Sequence, residues 1–435
     1  MNRSMVARYD VIVIGGGPAG STAASLLSEK GWQVCLLEKD RHPRFHIGES
    51  LLPMNLPIFE RLGVLDEVRS IGVKKNAAEF NASDTRRPVD TFYFGESLTD
   101  NPSHAYQVLR QDLDFLLLNN SRRKGATVIE GIRVTHVELS GDPKRLRATH
   151  AEGGSVHFEC RFIIDASGRD SFLASKLNLK RKNTRHSSAA IFCHYRHARR
   201  RNGDDAGNIS IYWIEPGWIW MIPLHDNIMS IGAVCSPDYM KTRQTSLDEF
   251  LWHTLNQVPD IRERLKDARS TGKARAAANY SYTASRMAGD GYLLIGDAFA
   301  FIDPVFSSGV FLAMQSGELG SELVDTVLRR PESAARALKI YEKKVHSHLG
   351  SFSWFIYRFN VYAMRQLLMH HPGDHASQYF RNVKAAVISV FSGENHGHET
   401  LRMPLLIFKI NFYSLTWVNF WSRLVAQARQ KICGE

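Results

Sequence analysis

Cysteine is scarce and unpatterned in this 435-residue chain: Cys35, Cys160, Cys193, Cys235 and Cys433 are odd in number and never stand in C-x-x-C spacing. That argues against a disulfide framework and against structural zinc, and predicts reduced thiols in a cytoplasmic compartment. No secretory signal is expected, since only eight residues precede Tyr9. Internal repeats and low-complexity segments are also lacking. The histidine pairs His370-His371 and His396/His398 sit among Pro, Gly, Asp and Asn, so they read as polar loop and no metal is expected. Neither basic cluster, Lys180-Arg181-Lys182 nor His197-Ala-Arg-Arg-Arg201, has the interleaved aromatics of a single-strand nucleic-acid surface. A solvated loop is the plainer reading of each, a docking patch the sharper one.

With 44% hydrophobic residues the chain can bury a large core, in two or three domains. Its formal charge of +11 points to an acidic partner, such as a carrier protein or an anionic membrane surface. The most informative stretch is Tyr9-Asp-Val-Ile-Val-Ile-Gly-Gly-Gly-Pro-Ala-Gly20. It predicts a buried strand running into Gly15, Gly17 and Gly20, then a helix from Ser21 and a second strand ending on Glu38. In that context Gly15 permits the tight turn, Gly17 lets backbone approach a pyrophosphate, and Gly20 allows close helix packing. The helix start offers free N–H groups to phosphate, and Glu38 can accept from an adenosine ribose. A dinucleotide site follows.

Further along, a helix is predicted near 53–65, strands between Asn76 and Ser97, and a helix from Arg110 that turns Leu116, Leu117 and Leu118 inward. Strands follow at 126–130 and 133–139, and residues 187–235 alternate as a sheet, with His194, Tyr195, Tyr212 and Trp213 among them. Arg161–Gly168 and Gly291–Asp297 are two more buried strands ending in small-residue turns. Ligands gather at strand carboxyl ends in open α/β sheets, so three such ends imply one long cofactor across an interrupted domain. Beyond about Pro331 the pattern is helical to the C-terminus.

The arrangement resembles the FAD-binding fold of the aromatic hydroxylase, glutathione-reductase-like flavoproteins. The resemblance implies an α/β fold: a Rossmann FAD-binding domain (1–75, 100–185 and 285–330) interrupted by a mixed β-sheet substrate domain (76–99 and 186–284), plus a C-terminal helical region (331–435). It places Gly15, Gly17, Ala19, Gly20, Glu38, Arg44, Ser50, Arg110, Asp297, Pro304 and Gly309 at FAD. Asp297 would contact the ribityl chain and Arg110 would approach from its helix start; an ordinary N-cap before Ala298 is the other reading of Asp297. No second G-x-G-x-x-G exists, so a partner flavin reductase is expected to supply FADH2.

Four segments are similar to flavin-dependent halogenases: Phe45-His-Ile-Gly-Glu-Ser-Leu-Leu-Pro53, Lys75 five residues before Phe80, Gly217-Trp-Ile-Trp-Met-Ile-Pro223, and Phe301-Ile-Asp-Pro-Val-Phe-Ser-Ser-Gly309. The resemblance spans roughly residues 8–330. It implies that reduced FAD, dioxygen and chloride or bromide yield hypohalous acid. The backbone N–H groups of Ser308 and Gly309 would form the halide nest. Lys75, with Lys74 as fallback, would relay the hypohalous acid, its amine pKa lowered by desolvation. Trp218, Trp220 and Phe301 would line the substrate tunnel. Each has a structural alternative: a solvated strand-edge charge for Lys75, core aromatics for the tryptophans, a flavin-edge contact for Ser307-Ser308-Gly309. Departures are Ala77, where the family segment has Gly, and Asn81-Ala-Ser-Asp84 in place of an aromatic. No equivalent of the substrate-activating glutamate of tryptophan halogenases is found. That points away from free tryptophan to a phenol or pyrrole, either free or on an acyl or peptidyl carrier protein. A lipid reductase resembling the geranylgeranyl reductases and an aromatic hydroxylase are the rival readings.

The segments 351–362 and 404–421 are rich in aromatics. Lys409, Asn411 and Asn419 interrupt the second, so it is not expected to span a membrane. Buried packing helices, a substrate lid and a face for peripheral membrane contact are the three readings.

Overall fold

The computed structural model describes residues 6–83, 88–215, 217–370, 378–394 and 397–433. His371, His396 and Asp84, singled out above, lie outside them. The apolar run Val11–Ile14 is fully enclosed because its strand, Val6–Ile14, lies at the centre of a parallel sheet. Val34–Glu38 flanks it on one side and Ser155–Asp165 on the other, with Tyr292–Leu294 and Thr127–Glu130 farther out. Buried on both faces, these strands read as continuous hydrophobic runs. The register pairs Ile14 with Asp165 and Asp165 with Leu294, so the three predicted strand ends finish side by side. Ser155–Asp165 reaches farther back than the sequence reading had it. Its first half pairs antiparallel with Lys144–His150, which pairs with Ile132–Glu138.

A second sheet of nine strands includes Ala77–Asn81, Val89–Tyr93, Lys180–Arg196, Ile209–Ile214, Gly217–Pro223, Ile228–Cys235 and Arg275–Ala284. Between its strands lie three short helices, Pro237–Lys241, Leu247–Asn256 and Pro259–Arg264, that alternation had not revealed. Ser246 opens the middle one with a capping box closed by Glu249. The helix expected near 53–65 is two: Asn55–Leu62 stops where Gly63 turns left-handed, and Leu65–Ile71 starts afresh. In the Arg110–Arg123 helix Leu117 and Leu118 are buried, whereas Leu116 is only partly so.

Neither basic cluster is a simple solvated loop. Lys180–Lys182 opens a strand, and Arg201 is tied to Glu79 at 2.7 Å and to Asp260 at 2.9 Å. Ser308–Arg329 and Ala334–Ile356 are long helices, and Tyr362–Leu368, Gln378–Ser392 and Glu399–Cys433 complete the helical end. None of the described helices is long and apolar enough to cross a membrane.

Close approach, more than turn conformation, explains Gly20. A Cβ there would stand 2.0 Å from the Gly15 carbonyl oxygen, backbone that cannot yield without moving the turn. Gly20→Ala is therefore expected to destabilise the protein by about 1–3 kcal/mol, measured as a lower urea midpoint, and to weaken flavin retention with it.

Candidate functional site

The site begins at the Gly-rich turn. Gly15 has φ +106°, and a Cβ there would sit 2.4 Å from the Ala166 carbonyl oxygen, so both conformation and space require glycine. Gly17 is the N-cap of Pro18–Glu29, has no side-chain cap and no acidic residue in the first turn, and faces open space within 4 Å. The helix start thus presents uncompensated N–H groups and a positive dipole end. Glu38, 3% exposed, accepts from the Gly16 N–H at 2.6 Å and the Asp40 N–H at 2.9 Å. These bonds leave lone pairs for a ribose and hold the carboxylate against the turn.

The two other strand ends are built differently. Asp165 is an organiser: its carboxylate accepts from the backbone of Ser167 at 2.9 Å and of Leu173 at 2.6 Å. Asp297 lies inside the short 3-10 turn Gly296–Ala298, so the N-cap reading does not hold. Its backbone is fixed by Tyr282, whose hydroxyl donates to the Asp297 carbonyl at 2.8 Å, and by Ser316, which accepts from the Gly296 N–H at 2.8 Å. Its carboxylate has no hydrogen bond among the described residues. Desolvation pushes the Asp297 carboxyl up to about 6, against the pull of Arg169 and Arg110. Phe301, stacked on Tyr282 and under the Arg169 guanidinium, shares a recess with Asp297 and Gly309. Ala19 packs at the helix crossing, where a Cβ on Gly317 would meet its carbonyl at 2.5 Å.

Pro304 opens a 3-10 turn whose N-cap, Asp303, accepts from the Val305 N–H and from Ser188 on the second sheet at 2.9 Å. Ser307 then turns left-handed (φ 58°), and Ser308 starts the Ser308–Arg329 helix. The Ser308 hydroxyl is buried without a hydrogen-bond partner among the described residues, and a Cβ on Gly309 would meet none of them within 4 Å. An uncapped helix start with an orphaned hydroxyl is a cradle for an anion.

Arg110 is 6% exposed and gripped by Asp114, its i+4 neighbour, through bonds of 2.9 and 3.1 Å. Its remaining nitrogen donates to the Ile47 carbonyl at 3.0 Å, so it holds the 44–50 loop in place. The same charge drives the exposed His46 down to about 4. Arg44 reaches Asp114 and Asp40, each at 3.5 Å. That loop delivers Ser50 to Lys75.

Lys75 and Lys74 end the strand Gly72–Lys75, and the alternation of side chains separates them: Lys74 is exposed, Lys75 only 1% so. The Lys75 amine donates to the Ser50 hydroxyl and to the Leu51 carbonyl, both at 3.0 Å, and lies 5.1 Å from the Phe94 ring centre. The solvated strand-edge reading is overturned. Burial brings Lys75 down to about 7 from 10.5.

Trp218 and Trp220 share one face of Gly217–Pro223, their rings 5.8 Å apart. They are 4% and 5% exposed and pack into a cluster with Phe192, Trp213 and Phe359, so here they form a dense aromatic wall. Phe192 and His194 lie on the same side of their strand. Sequence reasoning gave no role to Glu49, Asp114, Arg169 or His194. Asp114 was findable by its i+4 spacing from Arg110. Glu49 was not: it is 1% exposed, with one carboxylate oxygen 2.8 Å from His194 Nε2, a strand distant in sequence.

The residues fit FAD: an open phosphate cradle at Gly17, a ribose acceptor at Glu38, a free carboxylate at Asp297 and a partnerless hydroxyl at Ser308. Comparison with known proteins agrees. The FAD-binding-domain family matches residues 8–349. A tryptophan 2-halogenase of Chondromyces crocatus is 34% identical over 346 residues, 78% of this chain and 65% of that protein. A 1H-pyrrole-2-carbonyl-[peptidyl-carrier protein] chlorinase of Pseudomonas fluorescens is 28% identical, covering 81% and 84%. Among solved structures, the myxobacterial chondrochloren halogenase CndH superposes with TM-score 0.77 at 32% identity, covering 92% of each chain. A flavoprotein/dehydrogenase of Cytophaga hutchinsonii gives 0.84 at 26%, covering 96% and 100%.

The buried amine predicts a stability signature. Between pH 7 and 10.5 the unfolded chain holds a proton on Lys75 that the folded protein has released, so stability rises with pH across that window. Lys75→Met removes the dependence. Its stability relative to the parent is expected to be greatest below pH 7 and to decline steadily toward pH 10.5, in urea midpoints measured across the range.

Proposed function

Because the chain belongs to the flavin-dependent halogenases, FAD-binding oxidoreductases, we propose that it halogenates an electron-rich aromatic, a phenol or pyrrole, with Lys75 as the catalytic residue. The observation that carries this is a lysine amine, 1% exposed and brought to about 7, held by Ser50 on the same loop that Arg110 anchors. FAD, delivered as FADH2 by a flavin reductase, would give two electrons to dioxygen, which takes two more from halide to yield hypohalous acid and water.

The chain's own residues do the rest. N–H groups at the Gly17 helix start receive the pyrophosphate, Glu38 takes the ribose, and Asp297 accepts from the ribityl chain. Gly15, Ala19 and Gly20 keep the turn close; Arg44, Ser50, Arg110 and Pro304 shape the surrounding cleft. Ser308 and Gly309 hold the chloride or bromide through backbone N–H groups, with the Ser308 hydroxyl as a further donor. Near neutral pH the Lys75 amine exists in both protonation states. As ammonium it hydrogen-bonds hypohalous acid; as free amine its nitrogen takes the halogen from the breaking O–X bond, and the displaced hydroxide leaves as water with a proton from the amine. Either way, loss of Nζ loses the relay. Trp218, Trp220 and Phe301 exclude water and flank the aromatic, a role their packing supports. We assign residues 1–75, 100–185 and 285–330 to FAD and 76–99 with 186–284 to substrate. The carrier-bound pyrrole named for the chlorinase relative, together with the +11 charge, supports delivery on an acidic carrier protein.

The test compares parent and Lys75→Ala with FADH2, oxygen, bromide and a phenol, following oxygen uptake and brominated product by mass spectrometry. Lys75→Ala is expected to consume oxygen normally and to lose product by about 100-fold or more. Lys75→Arg keeps a hydrogen-bonding cation but offers no free amine, so rescue by it assigns the relay to the charged form and failure to rescue assigns it to the free amine. Full bromination by Lys75→Ala, or turnover indifferent to halide and oxygen, would sink the reading and favour a lipid reductase.

A further inference from the structure

The last helix, Glu399–Cys433, is apolar on two opposite faces. One, through Leu401, Leu405, Phe408 and Phe412, is buried in the main core. The other is open: Met403, Leu406, Ile410, Tyr413, Trp417 and Phe420 recur at steps of three and four and are 50–65% exposed. Ten of the nineteen large hydrophobic side chains exposed on the described surface belong to this one helix, so its open face is a patch and not scatter. Its charge is one-sided as well. Residues 400–433 contain no Asp or Glu but do contain Arg402, Lys409, Arg423, Arg429 and Lys431. The neighbouring Gln378–Ser392 helix adds Phe380, 48% exposed, beside an apolar recess that Phe408 also lines.

We propose that this face lies flat on an anionic lipid bilayer. A broad apolar stripe bearing Trp417, Trp421 and Tyr413, flanked by basic residues and free of acidic ones, matches an in-plane interfacial helix. Indole and phenol rings, apolar with a polar tip, suit the headgroup boundary. Crossing the bilayer is excluded by Lys409, Asn411, Asn419 and Arg423 within the run. A second copy of the chain is the poorer occupant on charge: two such helices would face each other with basic residues and no acidic counterpart, whereas anionic headgroups complement them. The inference does not depend on the halogenation reading.

The test is cosedimentation of the full FAD-loaded protein with vesicles of equal parts phosphatidylglycerol and phosphatidylcholine, and with phosphatidylcholine alone. Arg402, Lys409 and Arg423 together are expected to favour the anionic vesicle by on the order of a hundred-fold, declining with salt. The triple variant Trp417→Ser, Phe420→Ser, Trp421→Ser should lose binding while keeping its FAD, since these side chains are 65%, 57% and 49% exposed and carry no core packing. Equal binding to both vesicles, retention by the triple variant, or no binding at all each overturns the proposal. In the last case a dimer in sedimentation velocity, dissociated by the same substitutions, would give the face to a second copy.

Discussion

Everything at the site depends on the register that sets Ile14, Asp165 and Leu294 side by side in one parallel sheet. A parallel sheet gathers its strand ends at one edge, and side chains and turns beyond that edge converge without any local contact among them. The Gly-rich turn, the Asp165 turn and the Gly296–Asp297 turn come from segments over a hundred residues apart. Shifting one strand by a residue would turn its buried side chains outward and carry its turn away from the cleft. Glycine is required at positions 15 and 20 for the same reason: these are the places where the turn touches Ala166 and its own helix.

The two-stranded sheet of Gly72–Lys75 and Ala105–Val108 and the 44–50 loop have a complementary task, which is to keep one amine out of water. Lys75 ends a strand whose partner is Ala105–Val108, and Ser50 bridges to Gln107 in the same small sheet. Arg110 fixes the loop by donating to its carbonyls, and Asp114 neutralises Arg110 where it is buried. A buried cation so paired costs far less than an isolated one. Among the described residues Lys75 has no carboxylate in its contacts, only hydroxyl, carbonyl and ring, so nothing there offsets the burial that lowers its pKa. The two buried cations thus differ in pairing: Arg110 is held by a carboxylate and Lys75 by neutral groups.

Burial also reads differently in two parts of the chain. Trp218 and Trp220 are enclosed by other aromatics, while Trp417 and Trp421 stand in solvent. The same residue type therefore packs a core in one sheet and offers a surface on the last helix. Only the neighbours decide which.

The sequence alone carried the strand-turn-helix identity of 9–38, the placement of Glu38 at the second strand's end, the Arg110 helix and the convergence of three strand ends. Each rests on local backbone demands or on hydrophobic runs that betray themselves in the order of residues. Helix breaks were less legible, because Gly63 ends a helix through a left-handed turn that apolar periodicity passes over. Which of two adjacent lysines is buried was decided by strand pairing, since alternation has no phase until a partner strand supplies one. Glu49 met His194, and Asp303 met Ser188, across separations that no spacing encodes. The open face of the final helix was likewise settled by tertiary structure: the sequence shows an aromatic-rich segment that reads as packing helix, lid or membrane face, and only packing among the described residues shows which side is buried and which exposed.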